Sequence, residues 1–464
     1  MNTSDALNQR RELPSPAWRS AGETAASGLG ALVVGIGLLL QLLFRGFAAS
    51  DSWIFGLLVT KPLIDLTWHW PFFDFGVQEV NAQTIVGLIA LSLNLILLIQ
   101  RPWDHRIPRI TLIFLAFASF SVLCTPTAEG FNELLRLLTG ATFFYSAGSL
   151  LAKEKQFDRF AKVLVVVVSI PVLLSFLQLA GAINYYYWDW IGGGAVGRVS
   201  GTYPTPLSLV YLLIYSCPLA FYLSTEKKHS PSTRFCGRVF LVVASIALIF
   251  TYHRAGYITI VLQGLLWVYL TRGKKAAGAL LIVVGLIVVL SFGSLATLFG
   301  GGQVTTDSGV VDDEFLRGRG FQWFLFLNSY VSSGPFHWIF GNGGSVIPDL
   351  DPKLTYVLSP EEPHSDFIRI LHAYGIVGLV GYLTIFGLFI KRALRLLSCK
   401  NEFARDVGRI MLPVLLAVLL LSITTEPMRY PSGVWYLFAL GSTLFCVGNC
   451  NGHVVAVGES SVRP

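Results

Sequence analysis

Apolar segments about as long as a bilayer is thick recur along this chain, separated by short polar connections. About 20 apolar residues in a helix cross a hydrocarbon core of ~30 Å, so segments of this length are the unit to seek. They fall near 28–44, 82–100, 109–124, 132–151, 160–180, 206–224, 236–252, 255–271, 276–298, 365–390, 408–424 and 431–449. Only helices or closed barrels satisfy the backbone in lipid. The pattern therefore predicts an all-α polytopic membrane protein with about 12 transmembrane helices and one large outer loop containing a short helix. Hydrophobic residues make up 53% of the chain and charged ones 13%, which excludes an ordinary soluble protein of this size. The stretch Trp53 to Trp70 is also apolar, but Lys61, Pro62 and Asp65 interrupt it. It reads as a re-entrant or interfacial piece.

This layout divides the chain into an N-terminal tail (1–27), an N-terminal transmembrane bundle (28–298), an outer loop (299–363), C-terminal helices (364–449) and a tail (450–464). No A-x-A pattern follows the first apolar run, so a retained span is expected there in place of a cleaved signal. With both tails inside, 24 of the 34 lysines and arginines fall on the inner face and eight on the outer, while Arg136 and Arg369 lie within spans. That bias follows the positive-inside rule. Orientation thus accounts for the net charge of +7 without nucleic acid as a partner. The six cysteines lie in or beside apolar runs and suggest no disulfide framework. Cys446 and Cys450 share a helix face without nearby His or acidic residues, so no metal site is expected.

Orientation does not explain the outer arginines. Arg198 follows an aromatic cluster (Tyr185, Tyr186, Tyr187, Trp188, Trp190) that reads as an interfacial belt or a sugar-stacking platform. Arg254 occupies a very short turn between two spans. Arg317 and Arg319 belong to the loop, where Asp312 to Val331 reads as a helix with acidic residues at its positive end. Phe315, Arg319, Gln322, Trp323 and Phe326 share its spacing, and Gly334-Pro335 ends it. A guanidinium presents phosphate with a planar fork at any relevant pH, so converging arginines suit a diphosphate. Each also has a plain structural reading. Arg198 anchors to lipid headgroups, Arg254 caps the preceding helix, and Arg317 and Arg319 pair with Asp312, Asp313 or Glu314. The Gly341-Asn342-Gly343-Gly344 turn is either a flexible connection or a row of anion-binding N–H groups.

The sequence Pro363-His364-Ser365-Asp366 opens a membrane-length helix. Titratable groups near hydrocarbon are costly, and so mark function more often than surface charges do. His364 has an unperturbed pKa of about 6.5, and its place at a helix amino end favours the neutral, basic imidazole. The competing reading is a histidine bound to headgroups or backbone. Asp366 and Arg369, three apart, read as neutralising each other. His372 is expected to be structural, and His253 is open to either role.

Taken in order, these segments resemble the O-antigen ligase and polymerase superfamily. The resemblance rests on Arg198-Val199-Ser200-Gly201-Thr202, Thr251-Tyr252-His253-Arg254-Ala255-Gly256, and Arg319 with Trp323. It continues through Phe340-Gly341-Asn342-Gly343 to Pro363-His364-Ser365-Asp366, which leads into Gly375-Ile376-Val377-Gly378. This chain departs where a Ser or Thr often precedes the second arginine and where Asn is common in place of Ser365. The resemblance implies about twelve helices, a periplasmic loop and an inner-membrane location with both termini cytoplasmic. It also implies metal-independent glycosyl transfer from an undecaprenyl-diphosphate donor, without a cofactor. Arg198, Arg254, Arg319 and Arg317 would hold the diphosphate, and His364 would activate the acceptor hydroxyl, with Arg254 and Arg198 also counted as catalytic. The partners are then the lipid-linked glycan, an acceptor glycan or lipid A core, the bilayer and a chain-length regulator protein. The Pro-His-Ser-Asp helix start looks more like the polymerases, so polymerase is the expectation and ligase the alternative. A secondary transporter or lipid flippase is the rival of another class, with Arg136 as its intramembrane charge.

Overall fold

Prolines, glycines and capping side chains set the boundaries of a helical bundle in the computed structural model, which describes residues 50–66, 71–74, 79–100, 107–183, 187–191, 194–290, 319–343 and 363–447. Helix α1 (Ser50–Asp65) precedes a small hairpin of β1 (Pro71–Asp74) and β2 (Glu79–Asn81). Then come α2 (Ala82–Gln100), α3 (Ile110–Cys124), α4 (Ala128–Leu151) and α5 (Glu154–Leu179). A second antiparallel hairpin, β3 (Tyr187–Ile191) and β4 (Gly194–Arg198), leads to α6 (Pro206–Thr225), α7 (Pro231–Ile249), α8 (Arg254–Arg272) and α9 (Lys274–Leu290). The loop contributes α10 (Arg319–Ser332) and α11 (Pro335–Phe340), and α12 (Asp366–Leu397), α13 (Glu402–Thr424) and α14 (Pro431–Cys446) complete the bundle.

Among the described residues, six helical segments are long and apolar enough to cross a membrane: Glu129–Leu151, Glu154–Leu179, Pro206–Thr225, Pro231–Ile249, Asp366–Leu397 and Glu402–Thr424. The chain is a predominantly helical membrane protein. Eleven of the twelve expected segments coincide with described helices, and the first, 28–44, lies outside the described residues. Helix α10 begins at Arg319, and residues 312–318 of the helix expected there lie outside the described residues. Cys399, just past α12, is disulfide-bonded, a pairing the sequence did not suggest.

Helix α14 is the centre of the packing, with nearly every described residue buried. Small residues let it approach its neighbours: Gly140 of α4 faces Val434 and Phe438, and Gly441 faces Phe389. The Phe144, Phe389, Phe438 and Phe445 rings interlock beside this contact.

Helix α1 covers Trp53 to Asp65 of the stretch read as re-entrant or interfacial, and residues 67–70 lie outside the described residues. The helix continues through Lys61 and Pro62 and packs into the core. Lys61 forms an ion pair with Asp65 one turn on and lies over the Trp435 ring at 5.1 Å. Pro62 has no N–H for the carbonyl of Leu58 four residues back. The Tyr436 hydroxyl supplies that missing donor at 2.7 Å. Helix α6 shows the same compensation, because Pro218 frees the Ile214 carbonyl and the buried Gln263 amide donates to it at 3.0 Å.

Candidate functional site

Hydrogen bonds gather the motif segments where the amino ends of α4, α6, α8, α12 and α14 meet the carboxyl ends of α5, α7 and α13. Arg198, at the end of β4, is buried and donates its Nε–H to the Thr251 carbonyl at 2.8 Å, while Val199 N–H donates to the Phe250 carbonyl. These bonds seal the end of α7 and bring Arg198 to the turn that carries Arg254. Both guanidinium groups lie within electrostatic reach of the Tyr257 hydroxyl. His253 is the N-cap of α8, its Nδ1 accepting from Gly256 N–H at 2.9 Å. Its role is therefore structural at that nitrogen, and it fixes where Arg254 begins the helix. Beyond Arg198, the N–H groups of Ser200 and Gly201 both donate to the Gln178 side-chain carbonyl, at 3.1 and 2.9 Å.

His364 sits where the loop enters α12. Trp323 of α10 donates its indole N–H to the Pro363 carbonyl at 2.8 Å, and Ser365 donates its hydroxyl to the Ser422 carbonyl at 3.1 Å. The histidine is thus clamped from the loop on one side and from α13 on the other. Asp366, fully buried, accepts from Arg369 at 3.1 Å, from the Ser422 hydroxyl at 3.1 Å and from Met428 N–H at 3.0 Å.

Asp366 and Arg369 do more than neutralise each other. Arg369 also donates to Glu133 of α4 at 2.7 Å, and the same carboxylate oxygen takes Arg136 at 2.9 Å. Arg429 pairs with Glu426 at 3.4 Å just after α13. Burying these ions is tolerable only because each has an oppositely charged partner with hydrogen bonds. Sequence reasoning missed Glu133 and Glu426 altogether. The signal available was an acidic residue three positions before an arginine inside an apolar run.

The glycine turn was open to two readings, and its described part runs to Gly343. Asn342 N–H donates to the His372 carbonyl at 3.0 Å, and Gly343 N–H donates to the Ser121 hydroxyl at 3.2 Å. Those N–H groups serve the fold and do not form an anion cradle. Gly341 (φ 76°) lies against the backbone of Ala373 and Tyr374, and Gly375 (φ 66°) against that of Ile339. The turn is a wedge in the non-helical step of α12 at Gly375. His372 is structural here, as expected, bonded to Asn342 and edge-on to Phe326.

Among the described residues, three non-glycine residues have positive φ: Thr202 (69°), Tyr252 (51°) and His364 (49°). They fall in the segments that bear Arg198, Arg254 and His364, one in each. Such conformations carry a steric cost and concentrate at working sites. The backbone of Arg319 opens α10, whereas Arg317 lies outside the described residues. Arg198 and Arg254 are brought together, and His364 is placed beside the turn after α13.

A family model for O-antigen ligase matches residues 239–383, from α7 to the middle of α12. That stretch is similar to an O-antigen ligase domain. This domain spans Arg254, α10, the glycine wedge and His364, while Arg198 precedes it. The match supports the O-antigen ligase/polymerase superfamily, whose members are glycosyltransferase-like enzymes acting on lipid-linked glycans in a membrane. No curated protein matches the chain.

Proposed function

We propose that the protein is a polysaccharide polymerase that transfers glycan from an undecaprenyl-diphosphate donor to a sugar hydroxyl, at the periplasmic face of a bacterial inner membrane. The observation that carries this reading is the coincidence of three strained non-glycine residues with the three segments bearing Arg198, Arg254 and His364. In this reading both termini are cytoplasmic and a chain-length regulator is a partner.

Arg198, Arg254, Arg319 and Arg317 bind the diphosphate and stabilise the charge that grows on it as the sugar–phosphate bond breaks. The Nε bond of Arg198 to Thr251 supports this role by fixing the plane of the guanidinium before the substrate arrives. The neutral imidazole of His364 takes the proton of the acceptor hydroxyl while that oxygen bonds to the anomeric carbon. The bond from that carbon to the diphosphate oxygen breaks with its electron pair, releasing undecaprenyl diphosphate. Positive charge comes from guanidinium groups, so the proposed transfer is metal-independent.

The family description favours one second reading, ligase transfer of the same donor glycan to lipid A core. The transport alternative keeps Arg136 as its intramembrane charge, paired here with Glu133. Purified protein incubated with a defined undecaprenyl-diphosphate glycan, with and without core lipid, tests all three. A ladder of products is expected. One-step transfer to core lipid would establish the ligase, and absence of turnover in a validated assay would overturn glycosyl transfer.

A further inference from the structure

Arg136 and Arg429 share a cavity of about 260 Å3 with Asp65, Gln83, Ser208 and Tyr430. None of these residues belongs to the motifs that carry the diphosphate reading. The cavity lies between two parts of the site. Arg429 directly follows Met428, whose N–H holds Asp366 two residues beyond His364. On the other side it is closed by Tyr203 and Pro204, the end of the segment that starts at Arg198.

We infer that this cavity is a binding subsite for an uncharged sugar ring, the acceptor residue whose hydroxyl meets His364, an inference that rests on the glycosyl-transfer reading above. Three features carry it. First, the groups are held in place before any ligand enters. Arg136 is bonded to Glu133, Arg429 to Glu426, Gln83 Nε2 to the Asp65 carbonyl at 3.3 Å and the Tyr430 hydroxyl to Thr205 Oγ1 at 3.1 Å. Second, the charges there cancel. Arg136, Arg369 and Arg429 stand against Glu133, Asp366 and Glu426, and Lys61 stands against Asp65. Such a wall has no surplus of positive charge for a diphosphate. Third, the lining mixes guanidinium donors with carboxylate, amide and hydroxyl acceptors. Sugar hydroxyls both donate and accept, so they match this set. The volume is below the ~300–1,000 Å3 of pockets that enclose drug-sized ligands, which suits a single ring. Location selects the acceptor, since Arg429 in the lining follows Met428, whose N–H holds Asp366 in the segment of His364.

The test is binding of the lipid-free oligosaccharide released from the producing cell's own surface glycan, followed by ligand-observed NMR on the detergent-solubilised full chain. The wild type should bind it, and Gln83→Ala, Ser208→Ala and Arg429→Gln should each weaken binding by tenfold or more. His364→Ala should bind as the wild type does while losing transfer. Should Arg429→Gln fail to fold, Gln83→Ala and Ser208→Ala are sufficient to decide. No binding by the wild type, unchanged binding in both mild variants, or displacement of the saccharide by inorganic diphosphate would overturn the subsite. Saccharide binding without transfer from a lipid-linked donor would remove the proposed activity and leave the subsite standing.

Discussion

Arg198 caps the end of α7 through its bond to the Thr251 carbonyl, a residue 53 positions further along the chain. Arg254 begins the next helix, α8, two residues after Tyr252. The two arginines thereby come to one corner, with Arg198 engaged at Nε by the backbone.

That arrangement predicts different responses to lysine. Arg198→Lys loses the Nε donor and the planar fork together, so both transfer and thermal stability should fall. Arg254→Lys should retain stability and lose transfer by tenfold or more, because an ammonium cannot make the bidentate phosphate contact. Parallel melting curves and transfer rates check this. Full activity in Arg254→Lys would argue against fork-like binding of the donor.

The buried ion network should be costly to open. Glu133→Ala removes the carboxylate shared by Arg136 and Arg369 and should destabilise the protein by about 3–5 kcal/mol. Arg369→Met should cost a similar amount by leaving Glu133 and Asp366 less well compensated. Since the residues act as one unit, the double variant should cost clearly less than the two single losses together. Chemical denaturation of the detergent-solubilised protein measures all three.

Alanine should not be tolerated in the wedge. At Gly341 a Cβ would meet the Ala373 backbone at 2.3 Å, and at Gly375 it would meet the Ile339 carbonyl oxygen at 2.2 Å. Both glycines also occupy a φ/ψ region that is essentially glycine-only, worth about 1–3 kcal/mol by itself. Gly341→Ala and Gly375→Ala should lower the melting temperature markedly. Gly278→Ala, in open space on α9, should not change it.

Trp323→Phe tests how the loop positions His364. It keeps an aromatic ring but removes the N–H bond to Pro363, a loss of about 0.5–1.5 kcal/mol for the bond itself, together with part of the indole's contact area. Transfer should fall mainly in kcat, with the acceptor KM little changed. An unchanged kcat would show that the clamp does not reach the histidine.

The described helical segments were legible in the sequence to within about two helical turns, and so were the short segments that bear Arg198, Arg254 and His364. The turn at Gly341 to Gly344 was visible as a turn, and the Asp366–Arg369 pair as a pair. Their partners were not. Glu133 reaches Arg369 across 236 positions, and Gly343 reaches Ser121 across 222. Pro62 and Lys61 looked like interruptions because the groups that compensate them, Tyr436 and Trp435, lie at the far end of the chain.

By itself the sequence determined that this chain is a helical membrane protein and which short segments were worth attention. Apolar length, proline, glycine and charge act locally, within one helix or one turn, so they can be read in order. Tertiary structure alone decided which charges cancel, which backbone N–H groups are already taken, and that Arg136 and Arg429 face one cavity. Those outcomes depend on which helices become neighbours, and low-dielectric packing makes each such pairing decisive for the energy of a buried ion.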